Sequence, residues 1–501
     1  MGVFHRPWAR PRYHTGGYRN SRTRGLAAWK GYAVERTRYS ISGGLSSEAI
    51  ERIIADAFRL LDSVGVTVED ENVLAELKRH KGVRVDGGLA FYSPQLVEEF
   101  IGQVHGQNDE YMLNVPGRAE PLVRPPFLCM RVWDLEAGCA RPASVHDLTR
   151  AVKLLDTYGV EGIPPIHPQE IPPPLRQIVT AKVSYENSRA IGSYMQATSV
   201  REVELLCELG EAAGCKGPHV ALQIVHSPLK LDANSLRLIL ELKRSKRTAR
   251  GVTAGAGAMP LAGAAAPLLL PGFLAQGLAE ALAAYGTPKL LNDGVTGYCS
   301  IFPGTFDMRY TGYSMASAEA IVYWLAIRQL MQHLFVQTMG GDFACTGKTY
   351  DAQAGAQKMA AILTAVLSGA TTFCNAGMTP TDEVFHFEGA VIDMEILSYA
   401  WRVGKGVAWE DAPTAEIVKE GRAADTFLMH PATMRFREEI WDPPLFTNES
   451  LGRWLAQGSP GVIEKAARIA EERIAAHSYH PSKDVQREFD RIMKIAEKDL
   501  T

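Results

Sequence analysis

The amino-acid sequence predicts an α/β protein of the (β/α)8 TIM-barrel type, with an N-terminal α/β extension and a C-terminal helical segment. Three observations point there. From about Ala143 onward, short apolar runs alternate with segments long enough for helical crossovers. About eight such units fit in the remaining chain, more strands than an open doubly wound sheet usually has, and that open sheet is the alternative. The third observation is the stretch Leu334 to Gly355, LFVQTMGGDFACTGKTYDAQAG. An apolar run there breaks at Gly340-Gly341 and spills Asp342, Phe343, Lys348, Tyr350, Asp351 and Gln353 before an alanine-rich helix. Barrel enzymes build their active face from such strand ends, and an ordinary βα loop has the same appearance.

The first 44 residues differ in composition from the rest. They hold nine arginines and lysines against one acid, Glu35, with Trp8, Tyr13, Tyr18, Trp29 and Tyr32 interleaved. A basic arm that binds RNA, an anionic surface or a neighbouring subunit fits this pattern, and so does a poorly ordered or subunit-wrapping extension.

Residues 45–142 read as a small α/β module. Ser46 caps a first helix over 45–62, with Ile50, Ile53, Ile54, Ala57, Phe58 and Leu61 on one face. Gly65 ends it, and Val66 to Val68 follow as a strand. A helix over Val73 to His80, a hairpin turning at Asp86-Gly87-Gly88, and a helix opening with Pro94 complete the module.

Residues 143–501 carry the barrel and the closing helices. The expected strands are Val160 to Ile166, Ala190 to Ala197, Val220 to His226, Ala249 to Ala254, Lys289 to Asp293, Phe335 to Met339, Thr371 to Asn375 and Phe427 to His430. The greasy stretch Leu261 to Tyr285 contains Pro267, Pro271, Gln276 and Glu280, which suits a buried loop plus helix better than a membrane span. A long amphipathic helix over Val462 to Ala476 and a shorter one near the terminus close the chain.

Composition excludes several function classes. The chain has 501 residues, 46% hydrophobic and 22% charged, with a net charge of -3, so nucleic acid is not an expected partner. Its seven cysteines are scattered without a CxxC pair, and its start lacks an apolar leader, so a cytoplasmic location is expected. There is no GxGxxG after a first strand, no P-loop and no GxSxG elbow. The run Thr253 to Gly257 is glycine-rich and reads as a packed βα turn. His386-Phe387-Glu388 alone does not make a zinc set, and no catalytic metal is expected.

The strand ends and the loops after the fifth and seventh strands concentrate acids and aromatics. They supply His167, Gln196, His226, Asp293, Tyr298, Asp342, Asn375 and His430. The first loop adds Phe306, Asp307, Arg309, Tyr310, Tyr313 and Glu319. The second adds Asp382, Phe385, His386, Phe387, Glu388, Asp393 and Glu395. Aromatic faces beside a carboxylate hold a quaternary ammonium well, because the ring quadrupole and the acid both favour a cation that donates no hydrogen bond. Asp307, Asp342 and Glu388 are the candidate catalytic acids. His226, Tyr298, Phe306, Arg309, Tyr313, Phe343, Tyr350, Gln353 and Phe387 are the candidate substrate-binding residues. Core packing is the competing role for most of the aromatics. Arg309 has two readings, a clamp on a substrate carboxylate and a bridge to Asp307 or Glu319.

Nine motifs in register resemble one family. They are LSSEAIERIIADAFRLLDSVGV from Leu45, RPASVHDLTRAVKLLD, IHPQEIP, SPL at Ser227, GAAAPLLLPGFLAQGLAEALA, FDMRYTGYSMASAE, GGDFACTGKTYDAQAG, FEGAVIDMEI and FLMHPATMRFREEIWDPPLF. From Leu45 onward the chain is similar to the trimethylamine methyltransferase family of corrinoid-dependent methyltransferases. The resemblance implies a (β/α)8 barrel that passes a methyl group from a methylated amine to the Co(I) of a separate corrinoid protein. It implies no tightly bound cofactor, because the cobalamin travels with that partner, and a homo-oligomer is expected. Trimethylamine-specific members carry pyrrolysine. This chain has only the standard residues, which directs the expectation to a quaternary or betaine-like amine. Its loop GGDFACTGK departs from the serine-rich form expected there. A small-molecule-binding barrel without methyl transfer, and a lyase or hydrolase using Asp and His as acid and base, are the alternatives.

Overall fold

The computed structural model describes residues 35–41, 44–106, 120–244, 251–335, 340–409 and 411–501. Most of the basic stretch 1–44 lies outside them. Its described part, Glu35–Thr37, pairs antiparallel with Val407–Trp409.

The N-terminal module follows its local signals. Ser46 accepts the amide of Ala49 and caps the helix Ser47–Arg59, whose Ile50, Ile53 and Ala57 are buried. Val66–Val68 is a strand, and Val83–Asp86 pairs with Leu89–Tyr92 around Gly87, whose φ of 56° suits glycine. Pro94 opens the helix Pro94–Gly106. Three-dimensional structure adds to the sheet what sequence did not show. Lys230–Leu231 joins Val66–Val68 in parallel, and Val225–His226 lies beyond it at the edge.

The main body is built on parallel strands. Tyr194–Met195, Val220–Gln223, Val252–Ala258 and Thr296–Ile301 form one parallel sheet in chain order. Leu122–Val123, Thr372–Cys374 and Gly341–Asp342 form another. Residues 161 and 162 connect the two. Glu161 donates to Val123, and Gly162 bridges in parallel to Ile191. Eight parallel segments therefore succeed one another, beginning with Gly341–Asp342 and ending with Thr296–Ile301. The ladder that would join those two ends is not among the described pairings.

Several expected strands are corrected. Lys289 to Asp293 is not a strand, because the helix Leu270–Leu291 runs through it and the strand follows at Thr296–Ile301. Gly286 is required inside that helix. A Cβ there would sit 2.1 Å from the Phe100 ring. Phe427 to His430 is not a strand either; it is an exposed turn leading into the helix Pro431–Phe436. Leu122–Val123 supplies the strand that the sequence reading lacked.

Thr253 to Gly257 is strand, not turn. A Cβ on Gly255 would meet the Tyr298 carbonyl oxygen at 2.2 Å, so the glycine marks close strand approach. Gly341–Asp342 is a described strand. Of the expected strand Phe335 to Met339, Phe335 ends a helix and residues 336–339 lie outside the described residues. A Cβ on Gly341 would meet the Phe373 ring at 2.5 Å.

Helices cover the outer face and divide the core in two. One cluster joins the N-terminal module to Leu270–Leu291 and its neighbours. That helix is buried on nearly every side, and its polar Gln276 and Glu280 are buried with hydrogen-bond partners. The other cluster joins Val145–Asp156, Ala352–Leu367, Phe387–Gly404 and Val462–Ala476. The terminal helix Lys483–Leu500 is longer than expected and packs on the second and third helices of the main body. Among the described residues no helix is long and apolar enough to cross a membrane.

Candidate active site at the strand ends

Strand register decides which side chains face away from the helices. Asp342 pairs with Cys374, and Phe373 pairs with Gly341 and Val123. Phe373 packs against Trp401 of an outer helix, so Asp342 and Cys374, one residue on, point to the opposite, inner face. On the facing sheet Gln223, Gly255 and Tyr298 share a row, while Leu222 and Ala254 pack in the helix-side core. Tyr298 Oη donates to Gln223 Oε1 at 2.7 Å, and Gln223 Nε2 donates to the Gly257 carbonyl at 3.0 Å.

The strongest polar contacts gather around Asp342. Asn375 donates to both of its carboxylate oxygens, at 3.1 and 2.9 Å, and the Ala344 amide donates at 2.7 Å. Burial pushes the Asp342 carboxyl up to about 6, against the lowering effect of the Asn375 hydrogen bonds, and nearby Asp382 pushes the same way as burial. Asn375 and Asp382 have left-handed backbones, with φ of 70° and 62°. Such strain in non-glycine residues is concentrated at functional sites. Asp382 accepts from Tyr313 Oη at 3.0 Å, and burial raises its carboxyl as well. Among the described residues neither Asp342 nor Asp382 has an ion-pair partner.

The other predicted site residues divide into groups. Phe343 and Tyr350 are buried in the helix-side core, where the Lys358 ammonium lies over both rings. Glu388 is buried in the first turn of Phe387–Gly404 and meets His386 Nδ1 at 3.2 Å. His386 is stacked on Trp133 and edge-on to Tyr350. Phe387 packs edge-on to Phe385, under the Arg150 guanidinium. Gln353 turns to Thr346.

Phe306, Asp307 and Tyr313 stand on a hairpin, with Arg309 at its turn. Arg309 donates to both oxygens of Asp307, and those hydrogen bonds hold the Asp307 carboxyl at about 2. Only Tyr313 of this hairpin reaches Asp382. His226 is exposed at the edge of the N-terminal sheet, 3.4 Å from Asp232, and has no contact with the Asp342 group.

Asn375, Asp382 and Asp393 were named at the strand ends and loops without an assigned role, and Lys358 was not named. Asn375 at a strand end was the available signal. The others depend on contacts between distant segments.

A profile of the family described as trimethylamine methyltransferase (MTTB) matches residues 15–491. The chain belongs to the trimethylamine methyltransferase family. It is 24% identical over 430 residues to the glycine betaine methyltransferase of Desulfitobacterium hafniense (strain Y51), covering 82% of this chain and 88% of that one. It is 26% identical over 274 residues to the trimethylamine methyltransferase MttB of Methanosarcina barkeri (strain Fusaro / DSM 804), covering 54% of each. The crystal structure of the Methanosarcina barkeri monomethylamine methyltransferase aligns with a TM-score of 0.43 and 10% identity, covering 91% of this chain and 94% of that one.

In this member of the trimethylamine methyltransferase family, two clefts are lined by residues of the helices and the segments next to them. One, of about 520 Å³, is lined by Tyr350, Met359, Ile392, Ile396, Phe446 and Val462 among the outer helices. The other, of about 490 Å³, lies between the helices Pro173–Asn187 and Lys483–Leu500. Among the described residues no three His, Cys, Asp or Glu side chains converge as a metal site requires.

Proposed function

We propose that this chain moves a methyl group from a quaternary or betaine-like amine to the Co(I) of a separate corrinoid protein. Family membership supports methyl transfer from a methylated amine. The observation that carries the substrate choice is the pair Asp342 and Asp382. These are two sheltered carboxylates without a described cation partner, one held by Asn375 and the other by Tyr313. An acid withdrawn from water and left unpaired favours a cation in its place.

A quaternary ammonium suits that setting. Its N–CH3 bond breaks with the bonding pair staying on nitrogen, so the amine leaves neutral and no proton moves. The corrinoid, a substrate delivered by its own protein, supplies the electron pair that forms the new bond to carbon. This chain's task is to hold the N–CH3 bond in line and exclude water. Asp342 and Asp382 face the charge, and Tyr313 offers a ring. Arg309, on the same hairpin, takes a substrate carboxylate. The eight parallel segments are read as a closed barrel with these residues at its mouth. A cytoplasmic setting suits exchange with a corrinoid protein.

Incubation with the reduced corrinoid protein and a panel of betaines, tetramethylammonium and trimethylamine tests this reading. Methylation of the corrinoid, followed by its absorbance change, is expected with a quaternary amine. No methylation with any member of the panel rejects the proposal.

A further inference from the structure

The loop that carries Asn375 and Asp382 is pinned from the helix side by a buried ion pair. Lys358 lies in the helix Ala352–Leu367 and Asp393 in the helix Phe387–Gly404. Both are fully buried, with Nζ 2.8 Å from Oδ2. The same carboxylate oxygen accepts from Tyr350 Oη at 2.7 Å and from the Gly377 amide at 2.7 Å. Lys358 Nζ also donates to the Met378 carbonyl at 3.0 Å. Two consecutive loop residues are thus held, one through its donor and one through its acceptor.

The rest of the loop is tied to that point. The Asp382 amide lies 2.9 Å from Met378 Sδ, the His386 amide donates to the Gly377 carbonyl, and the Thr379 amide donates to the Val384 carbonyl. Asn375 lies two residues before the pinned amide and Asp382 four residues after the pinned carbonyl. A fully buried ion pair is a poor source of stability, because apolar residues of similar volume often serve as well or better. Its better-attested use is to specify one arrangement. Here it specifies a loop with two left-handed residues, a conformation that persists where the surroundings dictate it.

We propose that Lys358 and Asp393 are positioning residues, which set the 375–386 loop so that Asn375 and Asp382 meet Asp342 in the cation site. The proposal rests on the reading of Asp342 as a cation-binding group, while the pinning itself is independent of substrate. The groups that act on Asp342 are Asp382 from the loop, Lys358 from its helix and Asn375 from the adjoining strand end. Cys374 and Tyr313 face it in turn. Loss of the Asn375 hydrogen bonds and loss of the Lys358 charge both push Asp342 upward.

The test uses the full chain labelled with 13Cγ-aspartate, with the Asp342 signal assigned by its loss in Asp342→Asn. The Asp342 midpoint is compared between wild type, the double variant Lys358→Met with Asp393→Leu, and Tyr350→Phe. Tetramethylammonium binding is measured by calorimetry on the same samples. In the double variant the midpoint is expected to rise by about one unit and tetramethylammonium affinity to fall about twofold at pH 7 and about tenfold well below the wild-type midpoint. Tyr350→Phe, which keeps both charges, is expected to shift the midpoint in the same direction by less. Because loss of the Lys358 charge alone raises Asp342, the charge-preserving variant decides: an unchanged midpoint in Tyr350→Phe overturns the positioning role whatever the double variant shows, folded or not. Shifted midpoints in a protein that methylates no corrinoid would sustain the positioning role and reject the proposed function.

Discussion

Asn375 donates to both carboxylate oxygens of Asp342, at 3.1 and 2.9 Å, from a backbone held at φ 70°. The contact joins the ends of two neighbouring parallel strands. It stabilises a charge that burial opposes, and the balance leaves the Asp342 carboxyl at about 6.

That balance predicts a pH dependence of stability. The Asp342 carboxyl is raised from 3.8 in a model peptide to about 6 in the fold. Between these values the unfolded chain has released its proton and the folded chain has not. Stability contributed by this group is therefore full below pH 4 and lost as pH rises to about 6, by about 3 kcal/mol. Asp342→Asn is expected to remove this downward component from a plot of unfolding free energy against pH. The same slope in the variant and wild type would assign it to other groups.

Activity should run the opposite way. The ionised Asp342 is the form that attracts a cation, so kcat/KM for tetramethylammonium is expected to rise through pH 6. Asp342→Asn is expected to lower it by about a hundredfold, of the order of a charge attraction across a sheltered site. A flat profile in wild type would exclude Asp342 from cation binding.

Asn375→Gly separates the hydrogen bond from the backbone. Glycine accepts φ 70° without strain, so the variant loses only the side-chain contact. It is expected to raise the Asp342 midpoint and to cost about 1.5–3 kcal/mol of stability above pH 7, the range for a hydrogen bond to a charge. Equal stabilities of variant and wild type across pH 5 to 8 would contradict this.

Arg309→Ala addresses substrate selection. The guanidinium is exposed and held by Asp307. Exposed pairs contribute little to stability, so Tm is expected to stay the same. KM for a betaine with a carboxylate is expected to rise about tenfold while KM for tetramethylammonium stays constant. Equal effects on both substrates would remove Arg309 from carboxylate recognition.

Gly286→Ala tests packing instead of chemistry. Alanine favours helix over glycine by about 1 kcal/mol. The added Cβ would lie 2.1 Å from the Phe100 ring, and overpacking of that kind costs about 1–3 kcal/mol. A net loss of stability is expected, relieved when Phe100→Leu is added. Stabilisation by the single change would show that the ring moves freely.

Local signals made much of the chain legible. Ser46, the Asp86 to Gly88 turn and Pro94 act within a few residues of themselves, and their elements formed where expected. The helix Val462–Ala476 was visible from its spacing. Glycines misled the reading. Gly340, Gly341 and Gly255 looked like breaks or turns, yet each is small because a distant residue packs against it. The strand expected at Lys289 to Asp293 is instead the end of the helix Leu270–Leu291, which packs in a core shared with the N-terminal module.

The sequence by itself determined the family, the mixed α/β alternation and the region rich in acids and aromatics. These rest on residue type and order. Tertiary structure decided which of those residues meet. It brought Asp342 to Asn375 and Tyr313 to Asp382, placed Lys358 and Asp393 beneath their loop, and left Arg309 with Asp307 and His226 at a sheet edge. The reason is electrostatic. A carboxylate's charge state depends on burial and on neighbours contributed by distant segments, and residue order does not reveal them.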